Sequence, residues 1–244
     1  MKKLVLGIVS VSLITSSLLA LSNKVEVKNS TILNKTKILN STNRGNAGIE
    51  VKGKNVKIKD STIKNETTIR DRSTNTGNAG ISVKGKNVKI KKSTIKNETT
   101  MRNRSTNTGN AGIEVKGRGN VKITNKSKLL NKTEMIRSTN TGNAGISVKG
   151  KNIKIKKSTI KNDTTMVNSQ NYGGNAGISA KGGNVGITKS KLLNKTMMIN
   201  SENRGNAGIS AKGRNVNIKN STIKNDTTLV NSKNRGNAGV KLGD

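Results

Sequence analysis

The stretch GNAGIEVKGKNVKIKDSTIKNETTIR, residues 45–70, decides the fold. Its apolar residues come in short groups: Ala47, Ile49 and Val51, then Val56 and Ile58, then Ile63, then Ile69. Within a group the spacing is two, the period at which side chains alternate across a strand. Between groups the step lengthens to five or six, with Gly53 and several Asn at the breaks. β-Branched residues at period two, interrupted by Gly and Asn, give short strands joined by turns. A helix would need longer runs at a spacing of ~3.6, and none is present. The chain is expected to be all-β.

The opening string recurs. Gly-Asn-Ala-Gly-Ile/Val begins at Gly45, Gly77, Gly109, Gly142, Gly174, Gly205 and Gly236, at intervals of 31 to 33 residues. Such self-similarity marks a solenoid or array. Strands this short bury an apolar face only by stacking on their neighbours, so equivalent residues should form columns with a coil spacing of ~4.8 Å. The expected fold is a parallel β-solenoid of about seven coils, each one repeat long. One column tests that register: Lys35, Glu66, Glu98, Lys132, Asp163, Lys195 and Asp226, whose sign alternates at four of the five steps after Glu66. Unlike charges directly opposite are favourable. Two shorter coils per repeat is the alternative, and would hold Glu98 and Lys132 about twice as far apart.

Composition narrows the chemistry. The 244 residues hold 47 Lys+Arg against 12 Asp+Glu, a formal net charge of +35, with no His, Cys, Pro, Trp or Phe. Without Cys or His there is no thiol nucleophile, disulfide, imidazole base or His/Cys zinc site. Tyr172 is the sole aromatic residue, so no platform exists for stacking bases or sugars. No cofactor or metal is expected.

Residues 1–22 read as an export signal: basic Met1-Lys2-Lys3, an apolar run from Leu4 to Leu21, and the small-residue exit Ala20-Leu21-Ser22. A membrane anchor competes, since the run is about long enough to span. Five Ser/Thr between Ser10 and Ser17 favour a cleaved signal. Cleavage after Ser22 would leave 23–244 as the solenoid, secreted or at the cell surface, with membrane contact only through the signal.

Three Asn columns recur: Asn46, Asn78, Asn110, Asn143, Asn175, Asn206 and Asn237; Asn55, Asn87, Asn120, Asn152, Asn184 and Asn215; and Asn34, Asn65, Asn97, Asn131, Asn162, Asn194 and Asn225. Asn tolerates left-handed corners, and stacked amides hydrogen-bond along a column. All three are therefore expected at corners. Many also read Asn-x-Ser/Thr, a glycosylation acceptor, for which the corner ladder is the plainer explanation.

The repeat Gly80-Ile81-Ser82-Val83-Lys84-Gly85-Lys86-Asn87-Val88-Lys89-Ile90, followed by Ser93-Thr94-Ile95-Lys96-Asn97, resembles right-handed parallel β-helix repeats of the pectin-lyase-like class. That resemblance covers residues 24 to about 240 and implies architecture more than activity. Catalytic members carry clustered Asp or a Lys/Arg–carboxylate site with calcium. The Asp here (Asp60, Asp71, Asp163, Asp226 and Asp244) form no such pair in sequence or column, so a polysaccharide lyase or hydrolase is a remote reading and no small-molecule substrate is expected. A looser similarity links Ile113-Glu114-Val115-Lys116-Gly117-Arg118-Gly119-Asn120 to curlin-type amyloid repeats, without their stacked Gln, since only Gln170 is present.

The ends are in phase. Residues 23–44 match the later part of a unit and residues 236–244 its opening, together one coil of 31 residues. Neither end has an evident cap, although solenoids usually need one. Head-to-tail stacking of copies through Val25 and Val27 at one end and Ala238 and Val240 at the other would give a filament.

Charge suggests a second partner. Lys52, Lys84, Lys116, Lys149, Lys181 and Lys212 form an unbroken column, and Lys54, Lys86, Arg118, Lys151 and Arg214 a second one interrupted by Gly183. Such rows fit lipopolysaccharide, acidic polysaccharide or extracellular DNA without sequence specificity, or simply a solvated face that discourages edge pairing. A Thr column (Thr36, Thr67, Thr99, Thr133, Thr164, Thr196 and Thr227) raises ice binding, though the second Thr rank is missing. The favoured expectation is an exported, non-enzymatic structural or adhesive solenoid that forms extracellular filaments, as in a biofilm matrix. The alternative is a cationic solenoid gripping an anionic polymer without self-assembly.

Overall fold

The computed structural model describes residues 17–19 and 24–243. Among them all regular structure is strand, and the strands pair in parallel. One coil shows the plan: Ile81–Gly85, Asn87–Lys91, Thr94–Arg102 and Thr106–Asn107. Each strand lies between its counterparts one repeat before and one after; Thr94 sits between Thr62 and Lys128. The nine-residue strands make one seven-stranded sheet and the two-residue strands another. The first two strands of each coil build a 13-stranded sheet, fused because Ile146–Lys156 and Ile178–Thr188 each run through as one strand. This is a parallel β-solenoid of about seven turns, one per repeat. The two-coil alternative fails: Glu98 pairs directly with Lys132, and their charged groups are 3.8 Å apart.

Alternation along each strand builds the interior. In Thr94–Arg102, Ile95, Asn97, Thr99 and Met101 are buried, while Lys96 is exposed. The buried apolar residues fall into two clusters. The larger joins Ile81, Val83, Val88, Ile90 and Ile95 with their column mates. The smaller pairs Ile69, Met101, Met135, Met166 and Met198 with Ala79, Ala111, Ala144, Ala176 and Ala207. Burying such a side chain contributes ~1.5–3 kcal/mol, and the cover comes from facing strands of the same coil together with the coils above and below.

The corners differ from the sequence expectation. Left-handed backbone is found before each nine-residue strand, at Asn29, Asp60, Lys92, Asn125–Lys126, Lys157, Lys189 and Asn220, and after it, at Asn40, Asp71–Arg72, Asn103–Arg104, Arg137, Asn168, Asn200 and Asn231. None of the three Asn columns occupies these positions. The Asn34 column lies mid-strand and faces inward, because Ile63, Asn65, Thr67 and Ile69 share one parity. Corner chemistry comes instead from Ser: Ser61 Oγ donates to the Lys59 carbonyl at 2.6 Å and accepts from the Ser30 amide at 3.3 Å. The Gly-Asn-Ala-Gly glycines answer to close approach; a Cβ at Gly80 would land on the Gly112 carbonyl oxygen, and one at Gly77 on that of Gly45.

Candidate functional site

The Asn columns form the molecule's polar spine. Along Asn34, Asn65, Asn97, Asn131, Asn162, Asn194 and Asn225, each Nδ2 donates to the next Oδ1 at 2.7–2.9 Å. The same amides reach the carbonyl of a motif Ala, as Asn131 Nδ2 does to Ala144 O at 2.8 Å. The ladder thereby ties the nine-residue strand to the Gly-Asn-Ala-Gly turn. Buried this way, Asn65, Asn97 and Asn162 present no accessible glycosylation acceptor. The Thr column is inward too, with Thr67, Thr99, Thr133, Thr164 and Thr196 at most 1 % exposed. No surface Thr rank exists there, and the ice-binding reading falls with it.

The other two columns sit nearer solvent. Asn110 and Asn143 donate backward to Asn78 and Asn110 at 3.1 Å, Asn206 to Asn175 at 2.8 Å and Asn237 to Asn206 at 3.1 Å. Asn87, Asn152, Asn184 and Asn215 donate to Asn55, Asn120, Asn152 and Asn184 at 2.7–3.0 Å. A fourth column, Asn43, Asn75, Asn107, Asn140, Asn171, Asn203 and Asn234, escaped sequence reasoning. It is bonded forward throughout at 2.6–2.9 Å and fixes the two-residue strands. Its unbroken recurrence was the available signal.

The outer face of the 13-stranded sheet is cationic. Lys52, Lys84, Lys116, Lys149, Lys181 and Lys212 stack in register. Lys57, Lys89, Lys122 and Lys154 make another column, with Lys59 and Lys91 beside it, both missed in the sequence. Acidic relief is sparse: Lys84 Nζ lies 3.3 Å from Glu50 and Lys57 Nζ 2.7 Å from Glu26. The Lys57 hydrogen bond holds the Glu26 carboxyl below its ordinary value. Neighbouring ammonium groups at coil spacing lie well inside a Debye length of ~8–10 Å and repel. Where Gly183 interrupts the second basic column, an open cleft is lined by Lys181, Gly182, Lys212, Gly213 and Arg214. Tyr172 is already engaged, with the Arg204 guanidinium 4.5 Å above its ring. Among the described residues, no group of three or more acidic side chains is placed to hold a metal.

The two rims carry the apolar surface. Among the described residues, the well-exposed large apolar side chains are Leu33 and Leu39 in the first coil and Leu229, Val230, Val240 and Leu242 in the last. Leu229, Val240 and Leu242 belong to inward columns and are exposed because no described coil covers them. Of the four residues assigned to the ends from sequence, Val25 and Val27 are inward and only 7 % and 6 % exposed, whereas Val240 is 47 % exposed. Ala238 is half-buried and accepts a hydrogen bond from Asn225 Nδ2 at 2.9 Å.

In comparison with known proteins, the chain matches no family model, no curated sequence and no solved structure.

Proposed function

We propose that this chain is an exported, non-enzymatic structural or adhesive protein whose mature form stacks head to tail into extracellular filaments. The observation that carries this reading is the complementarity of the two rims. Continuing the columns by one coil sets Ile32 on Ile223, Val51 on Leu242 and Leu39 on Val230, apolar against apolar. It also sets Lys35 opposite Asp226 and Glu50 opposite Lys241, two attractive pairs. Two like pairs, Lys28 against Lys219 and Arg44 against Arg235, repeat what the interior already tolerates at Lys59 and Lys91 and at Arg204 and Arg235. A contact between unlike ends propagates without closing.

Lys241 is the cleanest probe, because its neighbour inside the chain is the uncharged Ser210. In residues 23–244, Lys241→Glu should raise the concentration needed for assembly about tenfold by turning an attraction into a repulsion. Adding Glu50→Lys to the same chain should restore it. Electron microscopy and sedimentation at two ionic strengths read the outcome; protein that stays monomeric at high concentration and moderate salt overturns the proposal.

The cationic sheet face favours a second reading, contact with an anionic polymer such as acidic polysaccharide, lipopolysaccharide or extracellular DNA, without sequence specificity because phosphate or carboxylate contacts carry none. Salt separates the two: screening relaxes repulsion between copies and promotes filaments, but weakens polyanion binding.

A further inference from the structure

The strand Ser17–Leu19 lies on the solenoid's first rim. It pairs in parallel with Ile49–Lys52, setting Ser17 beside Glu50, Leu18 beside Val51 and Leu19 beside Lys52. The opposite edge of Ile49–Lys52 is taken by Ile81–Gly85. At the far end, Val240, Lys241 and Leu242 pair with Ile209, Ser210 and Ala211. Column for column, the residues of an incoming copy that would sit beside Glu50, Val51 and Lys52 are Lys241, Leu242 and Gly243. These are the seats held by Ser17, Leu18 and Leu19.

A strand edge offers one row of N–H and C=O groups and pairs with one neighbour. Ser17–Leu19 falls within the expected export leader, residues 1–22, whose remaining residues lie outside the described ones. We infer that the leader doubles as a plug: while attached it occupies the docking edge for the tail of another copy, and its removal opens that edge. The inference rests on the filament reading and adds its control. The precursor assembles slowly before export, and the cut that releases the mature chain removes the delay. The seat is contested rather than locked, since three residues compete with a junction that also involves Lys24–Lys28, Thr31–Leu39 and Thr42–Asn43. The leader should therefore delay assembly by lowering the fraction of competent rims.

The test compares three purified proteins at equal concentration: the full chain 1–244, the processed chain 23–244, and the full chain carrying Leu18→Pro and Leu19→Pro. Successive strand residues point their N–H groups to opposite sides, so one of the two prolines removes a donor facing Ile49–Lys52 whatever the parity. Light scattering gives the lag, and electron microscopy separates filaments of constant width from amorphous aggregates. The expected result is a lag at least ~10-fold longer for the full chain, corresponding to a competent fraction near one tenth, with the proline variant matching the processed chain. Equal lags for all three would overturn the plug and leave the filament standing. A proline variant as slow as the unaltered full chain would likewise overturn it. If none forms filaments, the filament reading itself fails, and the plug with it.

Discussion

Asn131 and Asn152 each stand in a long column and each bonds an amide one coil away, Asn131 to Asn162 at 2.9 Å and Asn152 to Asn120 at 3.0 Å. Their surroundings differ. Asn131 is 4 % exposed; its Nδ2 shares two hydrogens among Thr133, Ala144 and Asn162, and its Oδ1 accepts from Asn97 at 2.9 Å. Asn152 lies within the continuous strand Ile146–Lys156 and is only partly buried, so water can replace its amide partner. The difference teaches that regular recurrence in a solenoid marks register, whereas the energy of a column depends on whether water reaches it.

The comparison breaks most readily at Asn131. Asn131→Ala should destabilise the fold by about 3–5 kcal/mol, combining buried groups left without partners and a cavity between coils; the denaturation midpoint reads it. Asn152→Ala should cost less than about 1 kcal/mol in the same assay. Equal losses would refute the distinction. The smallest effect belongs to the partly exposed surface pair Glu26–Lys57. The Glu26 pKa is lowered from 4.5, so its contribution is present above that value and fades as pH falls through the lower native one. Lys57→Ala should let the Glu26 titration, followed by NMR, return toward 4.5, and Glu26→Gln should remove that titration.

Much of the fold was legible in the letters. The period-two groups in residues 45–70 gave strands, and the charge order around Glu98 and Lys132 gave one coil per repeat, as the 3.8 Å contact shows. The expectation of a corner at Asn65 fails for a physical reason: a recurring Asn suits a left-handed corner, yet a ladder of stacked amides satisfies it equally well inside a strand. Parity said otherwise, since Ile63, Asn65, Thr67 and Ile69 share a face. The basic face was half legible. The Lys52 column was found, but the Lys57 column lies one strand further on and becomes part of the same surface only when the two strands join one sheet.

The sequence by itself determined the repeat length, the strand period, the register of the columns and the surplus of positive charge, because each is a property of order along the chain. The tertiary structure decided which polar residues lie inside, where the left-handed corners fall and what faces each rim. Those depend on neighbours distant in sequence: Ala111 within the coil and Asn131 in the next one satisfy the buried amide of Asn97, and the lack of a described coil beyond the last leaves Val240 and Leu242 exposed.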